Sequence, residues 1–369
     1  MTSRRAVLTS ASALLALSLT APLPATAAEP LRVVATFSIL GDMVARIGGT
    51  HISLTTLVGP DGDAHVYQPT PQAAAAVSAA DVLVMNGLEF EGWLERLSEA
   101  VAFDGATVVA TRGIDPLAFE EADAHDDHGD EAHGHDDHAG YDDLGVHDDH
   151  AGHDDHGAHD DHAGHDDHAG HDDHAGHKDH AGEAHGGHAG HDHGAFDPHA
   201  WQSIANAVIY VDNITAALAQ AAPDHAATFY ANRAAYVAEL EAAEQEISAL
   251  MAGLPDDRRT VVTSHDAFGY FAAAYGLSFE APQGLSTESE PSAADVAAMI
   301  SQIRDEGIAA VFVESITDNR LLEQIARETG AVVGGTLYSD SLSGPDGPAP
   351  TYIDMMQHNA TILSSALGS

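Results

Sequence analysis

Apolar positions along this chain alternate between two rhythms. Compact apolar, β-branched runs at 31–36, 54–58, 82–85 and 107–111 predict strands, and the stretches 37–47, 72–80 and 88–101 carry apolar residues at helical spacing. The alternation returns later, with strands at 260–263, 309–314 and 331–337 and helices at 267–275, 292–306, 319–329 and 352–367. Such alternation implies parallel pairing through crossovers. Between the two series a helix is expected at 202–221. Pro223 then opens another that reaches about residue 254, with Val237, Leu240, Ile247, Met251 and Leu254 on one face. About 30 residues at ~1.5 Å each make a helix ~45 Å long, enough to run along two lobes as a stiff connector. The expected fold class is α/β: two βα lobes, each with a mainly parallel sheet, joined by a long rigid helix.

The pattern stops at 123–194. Residues 125–193 read as the hexapeptide H-D-D-H-A-G, cleanest from His147 to His180, with degenerate copies on both sides. The tract holds 21 of the 27 histidines, and its 21 acidic residues face the single basic Lys178. It has almost no apolar side chains to offset its ordering entropy, so a disordered insertion in the first lobe is expected. The domain reading is then a signal peptide at 1–28 and an N-terminal lobe at 29–122 that finishes at 195–222 after the insertion. A connecting helix at 223–254 and a C-terminal lobe at 255–369 follow.

Composition narrows the chemistry. The formal net charge of −45 argues against nucleic acid as a partner and suits a protein that attracts cations. With no cysteine there is no disulfide framework, no thiolate metal site and no acylated cysteine. Arg4-Arg5 precede an apolar run at 11–19, and Ala25-Thr26-Ala27-Ala28 reads as a cleavage site. Export is expected, by either the general secretory or the twin-arginine route, giving a soluble periplasmic protein that is not a lipoprotein.

In open α/β sheets, ligands bind beyond the carboxyl ends of strands. Four potential metal ligands stand there or where order resumes. His65 is in the loop after 54–58, His199 follows the insertion, His265 follows 260–263 and Asp340 follows 331–337. A lone loop histidine is ordinarily a solvated surface residue; the joint placement is what favours a metal.

These residues also carry a resemblance. The chain resembles the cluster A-I substrate-binding proteins of ABC transporters, which take up zinc or manganese, over nearly all of 31–367. The markers are Asp63-Ala-His65-Val-Tyr-Gln-Pro69, Asn86-Gly-Leu-Glu-Phe-Glu-Gly-Trp93-Leu, Asp197-Pro-His199-Ala-Trp201, Val262-Thr-Ser-His265-Asp-Ala-Phe-Gly-Tyr270-Phe, Phe312-Val-Glu-Ser315 and Ser339-Asp340-Ser341. The resemblance implies one metal in the cleft between the lobes, held by His65, His199, His265 and Asp340. It also implies delivery to an ABC transporter permease with a separate ATPase. Manganese members of that family have Glu where this chain has His265. Three imidazoles and one carboxylate suit tetrahedral Zn(II). Many zinc members carry a disulfide in the second lobe, and this chain departs from them. The expected ligand is thus one tightly bound Zn(II) as cargo, with further weak sites in 125–193. A periplasmic zinc chaperone is a possible partner, and a monomer is expected.

For the tract, three readings stay open: it collects zinc for the cleft, it buffers or senses zinc, or it is a neutral expansion. His133-Gly-His135-Asp-Asp137-His138 matches a dinuclear hydrolase pattern, but in low-complexity sequence with no preceding strand such matches arise by chance, and no enzyme is expected. Glu288 and Glu290 either orient a ligating histidine or belong to a helix cap at Ser289 or Ser292, the cap being favoured. His51, His225 and His358 read as surface or core-edge residues.

Overall fold

β1 (Leu31–Phe37), an apolar run that is buried from its third residue onward, is an inner strand of the first sheet. Its neighbours are β2 (Ile52–Val58) and β3 (Val82–Met85), and β4 (Ala106–Val109) closes the order β2-β1-β3-β4, every pair parallel. α1 (Ser38–Gly48), α2 (Pro71–Ala79) and α3 (Leu94–Ala100) make the crossovers. Thr70 caps α2 through its side chain, and Pro71 takes the first helical position, where no N–H is needed. A Cβ on Gly41 would come within 2.5 Å of the Thr56 hydroxyl, so glycine lets α1 lie close on β2. These facts come from a computed structural model that describes residues 29–119 and 196–368. The expected signal peptide, the hexapeptide tract and the His133–His138 pattern lie outside the described residues.

α4 (Ile204–Ala221), capped by Ser203, leads through a 3-10 turn at Pro223–His225 into α5 (Ala226–Ala252). The second sheet contains β5 (Thr260–Val262), β6 (Ser278–Glu280), β7 (Ala310–Glu314) and β8 (Val332–Leu337) in the parallel order β6-β5-β7-β8. α6 (Gly269–Tyr275), α7 (Ala293–Glu306) and α8 (Arg320–Thr329) cross over, and α9 (Tyr352–Leu367) closes the chain. Two parallel-sheet lobes and the long helix are thus as the hydrophobic pattern implies. At 27 residues α5 is ~40 Å long and packs on α1, α4, α6 and α9. It buries Phe229, Tyr236, Leu240, Ala243, Ile247 and Met251. The main core runs unbroken from Phe37 and Trp201 through Tyr210 and Tyr236 to Tyr352 and Leu363. A smaller core of Val262, Met299, Ile303, Val311 and Ile325 lies under α7 and α8.

Two elements differ from expectation. The stretch 88–101 is helical only from Leu94. Gly87, Leu88 and Glu89 all have positive φ, of 91°, 53° and 63°. Left-handed backbone costs about 1–3 kcal/mol per non-glycine residue and persists only where surroundings over-determine it. Here the buried Glu91 carboxylate accepts the amides of Asn86 (2.7 Å) and Gly87 (3.3 Å) and the Thr36 hydroxyl (2.7 Å). β6 was not anticipated. At three residues, with only Phe279 apolar, it is below what alternation can signal. Phe279 stacks on Phe268 at 4.9 Å.

Candidate metal centre

His65 is placed by its own loop. The Asp63 carboxylate accepts the His65 amide at 2.9 Å, and the Trp93 indole donates to the Ala64 carbonyl at 2.8 Å. His199 lies just past the antiparallel bridge between Ala118 and Phe196, so the chain leaves and re-enters this lobe at one place. Asp197 Oδ1 is 2.8 Å from both the His199 amide and Nδ1, which turns Nε2 inward. His265 follows β5, and Glu314 ends the neighbouring β7. One Glu314 oxygen accepts the amides of Ser264 and His265 at 2.8 and 2.9 Å, and the other lies 2.7 Å from His265 Nδ1.

Asp340 follows β8 but is held by the first lobe. The Ser339 carbonyl accepts from the Trp201 indole (2.8 Å) and the Gln202 amide (2.7 Å). The Leu342 amide donates to Ser38 Oγ at 3.0 Å, and the Leu342 carbonyl accepts the Asp61 amide at 2.9 Å.

The four side chains expected from the sequence therefore converge. Asp340 Oδ2 is 3.1 Å from His65 Nε2 and 3.2 Å from His265 Nε2, and Oδ1 is 3.6 Å from His199 Nε2. His65 and His199 bring Nε2 atoms to 3.4 Å, and one donor atom from each of the four lies within 4.8 Å of all the others. His199, His265 and Asp340 are fully buried, and His65 is 8% exposed. Burial works to raise the Asp340 carboxyl, but His199 and His265 beside it hold it well below the usual range. Burial works to lower the His265 imidazole, but Glu314 and Asp340 hold it well above its ordinary value. His65, with burial dominant over Asp340, is pushed down. A buried cation and a buried anion thus face each other, the arrangement a metal cation would replace.

Glu314 and Asp197 sit against Nδ1 of His265 and His199, on the far side of each ring from the cluster, a role the sequence reading did not give them. Asp197 two residues before a histidine is the local signal it offered. Glu314 is separated from His265 by 49 positions, and only the β5–β7 pairing joins them. Glu288 and Glu290 are exposed instead, and Ser292 caps α7 in a reciprocal pair with Asp295. His51 and His225 are core-edge residues stacked on each other at 4.0 Å, and His358 lies 3.0 Å from the Thr336 carbonyl.

Two parallel-sheet lobes on a long helix, closing over a buried His/Asp cluster, define a metal-binding substrate-binding protein of the ABC-transporter class. Residues 33–366 match the family described as zinc-uptake complex component A, periplasmic, and the chain belongs to it. Substrate-binding proteins of this family work with an ABC transporter permease and ATPase. The iron-binding protein YfeA of Yersinia pestis is 29% identical over 345 residues, covering 94% of this chain and 89% of its own length. The manganese-binding lipoprotein MntA of Halalkalibacterium halodurans is 28% identical, covering 92% and 89%. The periplasmic zinc binding protein TroA of Treponema pallidum superposes with a TM-score of 0.69 at 24% identity, covering 92% and 99%, a likeness of fold.

One expectation falls. MntA, SsaB of Streptococcus sanguinis and MtsA of Streptococcus pyogenes are all named lipoproteins. These relatives overturn the reading of an unanchored periplasmic protein that is not a lipoprotein. The absence of cysteine is a fact of the sequence, but it did not support a conclusion about compartment.

Proposed function

We propose that this chain captures Zn(II) as cargo with His65, His199, His265 and Asp340 and hands it to a permease driven by a separate ATPase. The convergence of four buried donor atoms within 4.8 Å carries this reading. Donors ~2.0–2.1 Å from a tetrahedral zinc lie about 3.3 Å apart, close to the 3.1, 3.2 and 3.4 Å separations in the cluster. An octahedral ion has similar neighbouring spacings, so the choice of metal rests on donor type and number. Three imidazoles and one carboxylate make a borderline-soft set that suits zinc better than manganese. A complete shell leaves no open position for a reacting water, which favours transport over catalysis. The domain reading is retained with it: lobes at 29–122 with 195–222 and at 255–369, the connecting helix at 223–254, acting as a monomer. The tract 125–193 supplies further weak sites that collect or buffer zinc, and a zinc chaperone is a compatible loading partner.

Zinc titration by calorimetry on the intact chain, a form lacking 123–194 and His199→Ala tests this reading. The deletion is expected to keep one tight site and lose several weak ones, and His199→Ala to lose the tight site. Loss of all tight binding on deletion would make the protein a zinc store centred on the tract. The relatives named for iron and manganese support the competing cargo, and tighter binding of Mn(II) than Zn(II) by the deleted form would favour it.

A further inference from the structure

His199 is delivered to the cluster by a stretch that both lobes hold. Where the chain re-enters the first lobe, Ala118 and Phe196 form an antiparallel bridge, and the next pair inward is Leu117 with Asp197. A pair at that place in an antiparallel ladder ordinarily exchanges two backbone bonds. Here one is direct: the Asp197 amide donates to the Leu117 carbonyl at 2.9 Å. The other is interrupted by a side chain of the second lobe. The Leu117 amide donates to the Tyr270 hydroxyl at 3.0 Å, and that hydroxyl donates to the Asp197 carbonyl at 3.0 Å. Tyr270, on α6, is 4% exposed, so both bonds form away from bulk water, where they are stronger.

The same helix meets the Asp197 carboxylate. A Cβ on Gly269, the first residue of α6, would come within 2.6 Å of Asp197 Oδ2, so glycine lets the helix start this close. The other oxygen, Oδ1, is the one that lies against the amide and Nδ1 of His199. One peptide further on, the Pro198 carbonyl accepts the Asn86 side-chain amide at 2.8 Å. The two carbonyls that precede His199 are thus pinned by different lobes, that of Asp197 by the second and that of Pro198 by the first.

We infer that Tyr270 is a positioning residue for the metal centre: by inserting its hydroxyl between Leu117 and Asp197, the second lobe sets the carboxylate that orients His199, a side chain of the first. The second lobe then contributes more than donor atoms. With Tyr270 withdrawn, the first lobe keeps His65 and His199 but loses the constraint that aims one of them. This rests on the reading of His199 as a ligand under the proposed function, whichever metal is the cargo.

The test is a double-mutant cycle on the full chain: wild type, Tyr270→Phe, Asp197→Asn and the two combined. Tyr275→Phe is the control, because it removes from the same helix a hydroxyl that donates to Glu244 at 2.6 Å. Zinc affinity is read by competition with a chromophoric chelator, and the visible spectrum of the Co(II)-loaded forms reports the geometry of the donors. Tyr270→Phe is expected to lose about tenfold in affinity, the scale on which outer partners tune metal sites, and to shift the Co(II) bands. The combined form should bind no more weakly than Asp197→Asn alone, since residues acting through one another are not additive. Tyr275→Phe should keep wild-type affinity and bands. Gly269→Ala, which presses on the carboxylate directly, should shift the bands as Tyr270→Phe does, and serves if the phenylalanine form does not fold. Multiplying losses in the combined form, wild-type affinity and bands in both Tyr270→Phe and Gly269→Ala, or an equal loss in Tyr275→Phe overturn the inference and leave the ligand set standing. Zinc binding by His199→Ala as tight as wild type overturns both.

Discussion

The two lobes are built on one plan and use it differently. Each sheet places its first strand inside, flanked by the second and third, with the fourth at the edge. The first strand of the N-terminal lobe leads directly to Ser38, whose hydroxyl ties down the Asp340 loop, and that of the C-terminal lobe leads to His265. The second strand leads to His65 in one lobe, and in the other to Thr287, which donates to Asp63 at 2.6 Å. The third strand leads in both to a buried glutamate. Glu91 holds backbone, whereas Glu314 holds the imidazole of His265. Strand-end positions are thus generic places to put chemistry, and the side chain there decides whether the position joins the His/Asp cluster or braces the backbone around it. By chain order two of the four clustered side chains come from each lobe, so neither half alone holds all four donors.

The strongest challenge to that division is to remove one ligand from each side. His199→Ala and His265→Ala should each weaken zinc binding by more than the ~100-fold that outer partners command, measured by competition with a chromophoric chelator. A tight site surviving either change would mean one lobe suffices. The orienting carboxylates come next. Asp197→Asn and Glu314→Gln should each cost about 10–100-fold, with Glu314 the larger because it also braces two amides. Equal losses would make the lobes more alike than described.

Acidity offers a smaller, graded effect. In the metal-free protein His265 keeps its proton well above the ordinary value of 6.5. Binding must expel that proton, so between 6.5 and the raised value apparent affinity should climb about tenfold per pH unit. Calorimetry in buffers of different ionisation enthalpy should count close to one proton released. The metal-free fold follows the opposite sense. The raised imidazole contributes stability below 6.5 that is lost as pH rises through its folded value. The depressed Asp340 contributes stability above 3.8 that is lost as pH falls through its folded value. Smallest of all, Thr287→Val removes one hydrogen bond across the cleft, worth about 1 kcal/mol, and should speed zinc release a few-fold in stopped flow.

Much of this was legible in the sequence, for identifiable reasons. β3 was read to the residue because a short apolar run between helical spacings admits little else. The four clustered residues were legible because each follows a strand or the insertion at a loop with few competing histidines. The start of α3 was not, because hydrophobic spacing reports which residues want burial and not that a glutamate four positions on will capture the amides of Asn86 and Gly87. The pairing of Glu314 with His265 was equally hidden, since strand adjacency in a sheet is a property of topology, not of local pattern.

The Asp340 loop carries a consequence for departure rather than capture. It belongs by chain order to the second sheet, yet Trp201, Gln202, Ser38 and Asp61 fasten it to the first lobe. If the lobes part, those fastenings keep Asp340 beside His65 and His199, and His265 alone is carried away with β5. An ion in the cleft would then lose the His265 imidazole first and be left on His65, His199 and Asp340.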